Sequence, residues 1–284
     1  MFSAYDFGYS WIVVNGLVIP FVLAIALGAV AVWRRWPRWI AVLSGLVAVW
    51  AAAGVILIHT VVGINSPMAL PTERFLSSGA GHVLDAGAGS GRAAIGVLLA
   101  RPGTTVTGLD IYEGYWGIDD NSPERFMRNA RIAGVADRAS ALTGDMREMP
   151  FPDGTFDAVV SSYAIDHLGR NGAKRAIAEA ARVLKPNGEF LLLIVNVTWE
   201  TWLVSPHAIA HHPRQDPAEW RAMLEQGGFL LEEEGTGPAT RYFLARRRGG
   251  PINVSNDSSS LAPPDIGEQS SHVEREATGK DKRR

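Results

Sequence analysis

Two apolar runs open the sequence, WIVVNGLVIPFVLAIALGAVAVW (11–33) and WIAVLSGLVAVWAAAGVILIHTVVG (39–63), and neither carries a charged side chain apart from the titratable His59. About twenty such residues suffice to cross a hydrocarbon core as a helix, which satisfies its own backbone polar groups in lipid. The expectation is a two-helix transmembrane hairpin over residues 1–66, with helices at about 11–33 and 39–62. A cleaved signal peptide does not fit, because no basic region precedes the first run and the run is too long for a signal h-region. Trp11, Trp33, Trp36 and Trp39 sit near the run ends, where amphipathic rings anchor at the interface. Pro20 is expected to kink the first helix, and Ser44, Ala48 and Ala52 place small residues at four-residue intervals for close helix packing.

From about Pro67 the pattern changes to short apolar runs alternating with amphipathic stretches, the signal of βαβ units around a parallel sheet. Strands are predicted at 82–87, 105–110, 139–145, 156–162 and 189–195, followed by a closing pair in LLEEEGT and TRYFLARRR. Helices are predicted from Gly91 to about Ala100, after NSPERFMRNARIAG with Ser122 as cap and Gly134 as stop, in GAKRAIAEAARVLKPNG, and after Asp216. The fold class is α/β, a Rossmann-like sheet of seven strands, mostly parallel, with the last strand antiparallel. This domain is expected to span residues 67–248. The serine-rich, mixed-charge segment 249–284 is expected to be a disordered tail.

The balance of 27 Lys plus Arg against 29 Asp plus Glu gives a net charge of -2, so no basic domain points to a nucleic-acid partner. The chain has no cysteine, which excludes disulfides, cysteine-ligated metal sites and thiol nucleophiles. The first predicted strand runs through VLDAGAGSGR (83–92) into a glycine turn that opens a helix, an arrangement that brings backbone N–H groups up to a polar or anionic ligand. Dinucleotide-binding turns space their glycines G-x-G-x-x-G, whereas Gly87, Gly89 and Gly91 form G-x-G-x-G and Arg92 takes the next place. That spacing argues against a dehydrogenase.

With Asp85 ahead of the turn, Asp110 ending the second strand and Asp145 ending the third, the chain resembles the class I S-adenosylmethionine-dependent methyltransferases. The resemblance continues through MREMPFPDGTFDAVVSS and ARVLKPNGEF and covers most of residues 70–248. GLDIYEGYWGIDDNSPERFMRNARIAGVADR further resembles a bacterial branch in which such a domain follows a membrane anchor. The resemblance implies S-adenosyl-L-methionine as cofactor. It implies that Asp85, Gly87, Gly89 and Gly91 frame the methionine end, that Asp110 accepts both ribose hydroxyls, and that Ile111 packs on adenine. It also implies that Asp145 and Met146 read the adenine edge and that Ser161 belongs to the cofactor site. A carboxylate is a strong charge-assisted acceptor for a vicinal diol, in agreement with the role of Asp110.

Methyl transfer from a sulfonium needs alignment and, for a hydroxyl or ammonium acceptor, a place for the proton. SSYAIDHL supplies Tyr163, Asp166 and His167 as candidate catalytic residues at the carboxyl end of the fourth strand. The stretch lacks the Asn/Asp-Pro-Pro-aromatic motif of enzymes that methylate base amines, and no cysteine is present to attack cytosine or hold arsenite. Tyr112, Tyr115 and Trp116 follow the second strand, where they can stack, cover the site or form a hydrophobic plug. His207 and His211 stand four apart, with His212 adjacent, but no third ligand is assured and no metal site is expected. Arg246, Arg247 and Arg248 can touch anionic headgroups or simply end a solvated strand.

The sequence therefore suggests a membrane-anchored methyltransferase acting on a small-molecule or lipid acceptor, with no nucleic acid and no obligate protein partner. The alternative is a non-catalytic cofactor sensor or membrane scaffold. Arg34, Arg35 and Arg38 between the runs favour a cytoplasmic loop and outward chain ends, whereas a cytosolic cofactor needs the domain inside. Either the charge rule is broken or one run is re-entrant. The expectation is a multi-pass protein with a cytoplasmic catalytic domain.

Overall fold

The computed structural model describes residues 5–113, 119–204, 206 and 215–249. Tyr115, Trp116, His207, His211, His212 and the tail from Gly250 onward lie outside the described residues.

The first apolar run does not form one helix. α1 (Trp11–Asn15) ends at Gly16, and α2 (Val18–Trp33) starts two residues later. Gly16 and Leu17 between them keep helical dihedrals, and the ladder is interrupted where Pro20 has no N–H to give the Gly16 carbonyl, which takes the Ile19 N–H at 3.2 Å instead. α3 (Arg38–Thr60) is the one described helix long and apolar enough to cross a membrane, with a mean hydropathy of 2.4, and α2 is shorter at 16 residues. Ala24 and Ala31 of α2 are buried, as are Ser44, Ala48 and Ala51 of α3, and the two helices pack along these positions. Ala52, expected on this stripe, lies beside it and is only half-buried. Steps of four residues overshoot a 3.6-residue turn by about 40° each, so the third step shortens to Ala51.

The α/β part follows in chain order: β1 (Ala80–Ala86), α4 (Arg92–Ala100), β2 (Gly103–Asp110), α5 (Pro123–Ile132), β3 (Ala139–Thr143), β4 (Phe156–Ser162), α6 (Gly169–Val183), β5 (Leu184–Val195), α7 (Trp199–Val204), α8 (Pro217–Gln226), β6 (Phe229–Gly237) and β7 (Thr240–Arg247). The sheet order is β3-β2-β1-β4-β5-β7-β6. The first five of these strands are parallel, and β7 runs antiparallel to both β5 and β6. Chain order reverses between β1 and β4, the place where such sheets bind ligands beyond their carboxyl ends. The caps fall where the sequence puts them: Ser122 Oγ accepts the Arg125 N–H at 3.3 Å, and Asp216 Oδ1 accepts the Ala218 N–H at 2.9 Å. The KPNG stretch, expected to close a helix, belongs instead to β5. The residue before a proline avoids the helical region, so Lys185 is already extended and α6 stops at Val183.

The residues ahead of α1 pack on the α/β core. Phe7 is buried in the same cluster as Val83, Ile95, Val106 and Phe126. Asn129, fully buried in α5, accepts the Asp6 N–H at 3.0 Å and donates to the Asp6 carbonyl at 2.7 Å and the Ser90 carbonyl at 3.0 Å. The chain leaving α3 is held just as firmly. Arg92 Nε donates to the Ser66 carbonyl at 2.9 Å, and Nη2 donates to the Val62 and Gly63 carbonyls at 3.2 Å each. Met68 then crosses α4 so closely that a Cβ on Gly96 would overlap its carbonyl oxygen.

Hydrogen bonds from a charged donor contribute about 1.5–3 kcal/mol each, less where water competes. Arg92→Ala is therefore expected to lower stability by about 2 kcal/mol, read as a drop in the thermal midpoint in matched micelles. Arg92→Lys should recover only part of it, because an ammonium cannot reproduce the planar fork.

Candidate functional site

Beyond β1 the chain turns through Gly87, Gly89 and Gly91, whose φ values are 81°, 50° and 87°. All three lie in the left-handed region that glycine alone enters readily. Packing adds a second constraint: a Cβ on Gly87 would overlap Ala164, and one on Gly91 would stand 2.8 Å from the Phe126 ring.

Asp85 lies wholly buried beneath this turn and does not line the cleft above it. Its Oδ2 accepts the Ala94 N–H at 2.9 Å, and its Oδ1 has no partner among the described residues. Burial pushes the carboxyl up to about 7; the Ala94 N–H opposes this and the nearby charge of Asp110 adds to it. Ser161 is likewise buried, with Oγ donating to the Ala86 carbonyl at 2.7 Å, so it ties β4 to β1 beneath the turn.

Asp110 faces the cleft. Its Oδ2 accepts the Gly89 N–H at 2.9 Å, and Oδ1 accepts the Tyr112 N–H at 2.8 Å and Asn121 Nδ2 at 3.3 Å. With its amide nitrogen fixed on this carboxylate, Asn121 presents a buried Oδ1 that has no partner among the described residues. Ile111, Asp145 and Met146 line the same region. Asp145 is clasped by Arg147 at 2.6 to 3.0 Å, and these hydrogen bonds hold its carboxyl below the usual range. Tyr112 sits at a φ of 52° with a buried hydroxyl, and burial pushes its phenol up.

The loop after β4 carries the three candidate catalytic residues. Tyr163, at a φ of 53°, bonds its hydroxyl to that of Thr240, and burial is the main reason its phenol is pushed up. Asp166 Oδ2 accepts the Val195 N–H at 3.1 Å and braces the loop against β5. His167 and Tyr163 line the cleft, and Asp166 does not. The cleft holds about 750 Å³, toward the upper end of single-ligand pockets. Its floor is the glycine turn, and one wall comes from outside the α/β domain: Leu57, Ile58 and Val61 at the end of α3.

Sequence reasoning did not single out Asn121, Arg147 or the α3 wall. Asn121 reads as a helix-start residue ahead of Ser122, and Arg147 as a surface charge. Among the described residues no cluster of His, Asp and Glu is arranged to hold a metal ion.

The methyltransferase domain family matches residues 83–188. An uncharacterized methyltransferase of Synechocystis sp. is 30% identical over 187 residues, covering 65% of this chain and 79% of that protein. The chain belongs to the class I methyltransferases. A ubiquinone/menaquinone biosynthesis C-methyltransferase of Methylobacterium nodulans is 36% identical over 114 residues, which is 39% of this methyltransferase and 41% of that relative. The chain thus spans under half the length of that relative. Among solved structures, the pyocyanin biosynthetic protein PhzM shares the fold, with a TM-score of 0.51 and 22% identity over 73% of this chain and 58% of that one. The cofactor of this methyltransferase is S-adenosylmethionine.

The buried carboxyl makes the fold pH-sensitive in a defined direction. Asp85 titrates at about 7 in the folded protein against an ordinary 3.8, so between these values the folded state keeps a proton that the unfolded chain has lost. Its stabilising contribution is complete below about pH 4 and is lost as the pH rises through 7, by roughly 4 kcal/mol in all. Urea denaturation from pH 4 to 8 is expected to show this decline in the wild type and a flatter profile in Asp85→Asn. Parallel profiles would refute the assignment.

Proposed function

We propose that this methyltransferase works at a membrane, held there by α2 and α3 as a hairpin with the α/β domain on the cytoplasmic side, and methylates a small or lipid-like acceptor. The observation that carries the reading is one cleft shared by the glycine turn, the Asp110 carboxylate and the end of α3. Residues 5–10 and the residues after α3 both dock on the α/β core, so the chain between them must leave and return on the same side. That favours two crossings over one. The loop arginines argue for the reverse orientation, and the cytosolic supply of cofactor decides for the cytoplasmic side.

The turn and its neighbours suit S-adenosylmethionine. The Asp110 carboxylate and the Asn121 Oδ1, which has no partner among the described residues, stand together as acceptors for a ribose diol. Ile111 would offer an apolar surface for adenine, and Asp145 and Met146, which line the same cleft, would read its edge. Asp85 and Ser161 act from beneath, holding the N-terminus of α4 and the end of β1 in place. The cofactor's sulfonium supplies an electrophilic methyl group. His167 is proposed to take the acceptor's proton, while Tyr163 and Asp166 fix the loop that carries it. The resemblance to a quinone-biosynthesis methyltransferase supports a small acceptor with a membrane-borne body.

The test uses detergent-solubilised protein, S-adenosylmethionine labelled in its methyl group and membranes of the host. Label should partition into the organic phase, and Asp110→Ala should abolish the transfer and weaken cofactor binding by at least about tenfold, the equivalent of one charge-assisted hydrogen bond. Label confined to protein or water-soluble product would reduce the hairpin to a tether.

A further inference from the structure

The cleft carries polar and apolar lining residues, and the tether reading leaves the apolar ones from outside the α/β domain unused. Asp110 and Asn121 stand at the glycine turn, and the same cleft is lined by Leu57, Ile58 and Val61 at the end of α3 and by Phe7 and Val13. Val61 remains about half exposed although it lines the cleft, so this end opens to the outside along the helix. Further along α3 the bare surface is continuous: Leu46 and Val49 are 61% and 70% exposed.

The short helix α7 flanks the same opening. Thr198 and Thr201 line the cleft, while Trp199, Trp202 and Leu203 are exposed. Its Leu203 carbonyl accepts the indole N–H of Trp50 at 2.6 Å. Trp50 lies ten residues before Thr60, roughly 15 Å down the helix axis. Trp199 and Trp202 stand exposed beside this contact, and tryptophan is the residue type that gathers where apolar surface meets headgroups.

We propose that the cleft opens sideways into the bilayer between the end of α3 and α7, and that the acceptor is an amphiphile. Its nucleophilic head lies at the glycine turn and its aliphatic chain passes out along Leu57 and Val61. The proposal rests on the membrane-anchored methyltransferase reading and makes the anchor a wall of the substrate site. A water-soluble acceptor would leave this aliphatic wall wetted beside a polar head site that it already fills. An aliphatic chain dries the wall while remaining mostly in lipid. α7 keeps phospholipid headgroups off the opening and, with the preceding Thr198, presents Thr201 to the head.

The test places the full chain in vesicles of equal parts phosphatidylcholine and phosphatidylglycerol, with a trace of a single-chain aliphatic alcohol bearing a diazirine on its chain as the amphiphile. After irradiation, adducts are mapped by mass spectrometry. Adducts are expected at Leu46 and Val49 on the bilayer face and also at Val13 and Ile64 inside the cleft. Val61→Trp, which narrows the opening, should cut the cleft adducts about tenfold and leave those at Leu46 unchanged. Labelling confined to Leu46 and Val49 overturns the proposal, as does cleft labelling indifferent to Val61→Trp. Calorimetry with S-adenosylmethionine on the same vesicles separates the two readings. Cofactor binding without cleft labelling removes the side opening alone, and cleft labelling without cofactor binding removes the proposed methyl transfer alone.

Discussion

Three backbone carbonyls just past an apolar helix converge on one guanidinium, that of Arg92, the residue that opens the helix behind the cofactor turn. A cation is badly placed at the start of its own helix, where the macrodipole is positive. It is well placed at the end of another helix, where unpaired carbonyls make the field negative. Arg92 occupies both positions at once. The end of α3 is thereby fixed against α4, the linker is drawn across Gly96, and the cleft acquires an apolar wall that the α/β domain by itself lacks.

The turn between these parts rests on buried polar groups. Asp85 caps α4 from below, Ser161 ties the end of β1 to β4, and Asn129 spans from the turn to the first residues of the chain. A carboxyl that titrates at about 7 is an expensive support. The same burial makes it responsive to charge brought to the cleft above, because low dielectric preserves the interaction over distance.

The α/β layout was legible because its signals are local. Apolar runs, the N-caps Ser122 and Asp216 and the glycine turn each announce one element, and their order fixes a parallel sheet with a closing hairpin. What escaped the sequence was long-range or geometric. Arg92 was visible only as the residue that spoils a dinucleotide fingerprint, and its partners lie about 26 to 30 residues away. Asn121 looked like part of a helix start, although its amide reaches back eleven residues to Asp110. The interruption near Gly16 follows from the N–H that Pro20 lacks, and the shift from Ala52 to Ala51 from the fractional helical period; both are readable in principle once three-dimensional packing is imposed. The docking of residues 5–10 gave no sequence signal, since one phenylalanine before an apolar run resembles the run itself.

That docking bears on how the chain can be divided. Phe7 belongs to the same buried cluster as Phe126 and Ile95, and Asn129 makes two of its three hydrogen bonds to Asp6. A shortened chain beginning after the helices would carry every strand and every acid of the cofactor turn. It would also lose Phe7 from the core cluster and leave a buried amide without its two bonds to Asp6. Solubility sought by deleting the apolar segment would thus expose a new sticky surface, and supplying residues 5–10 as a separate peptide is the natural way to cover it.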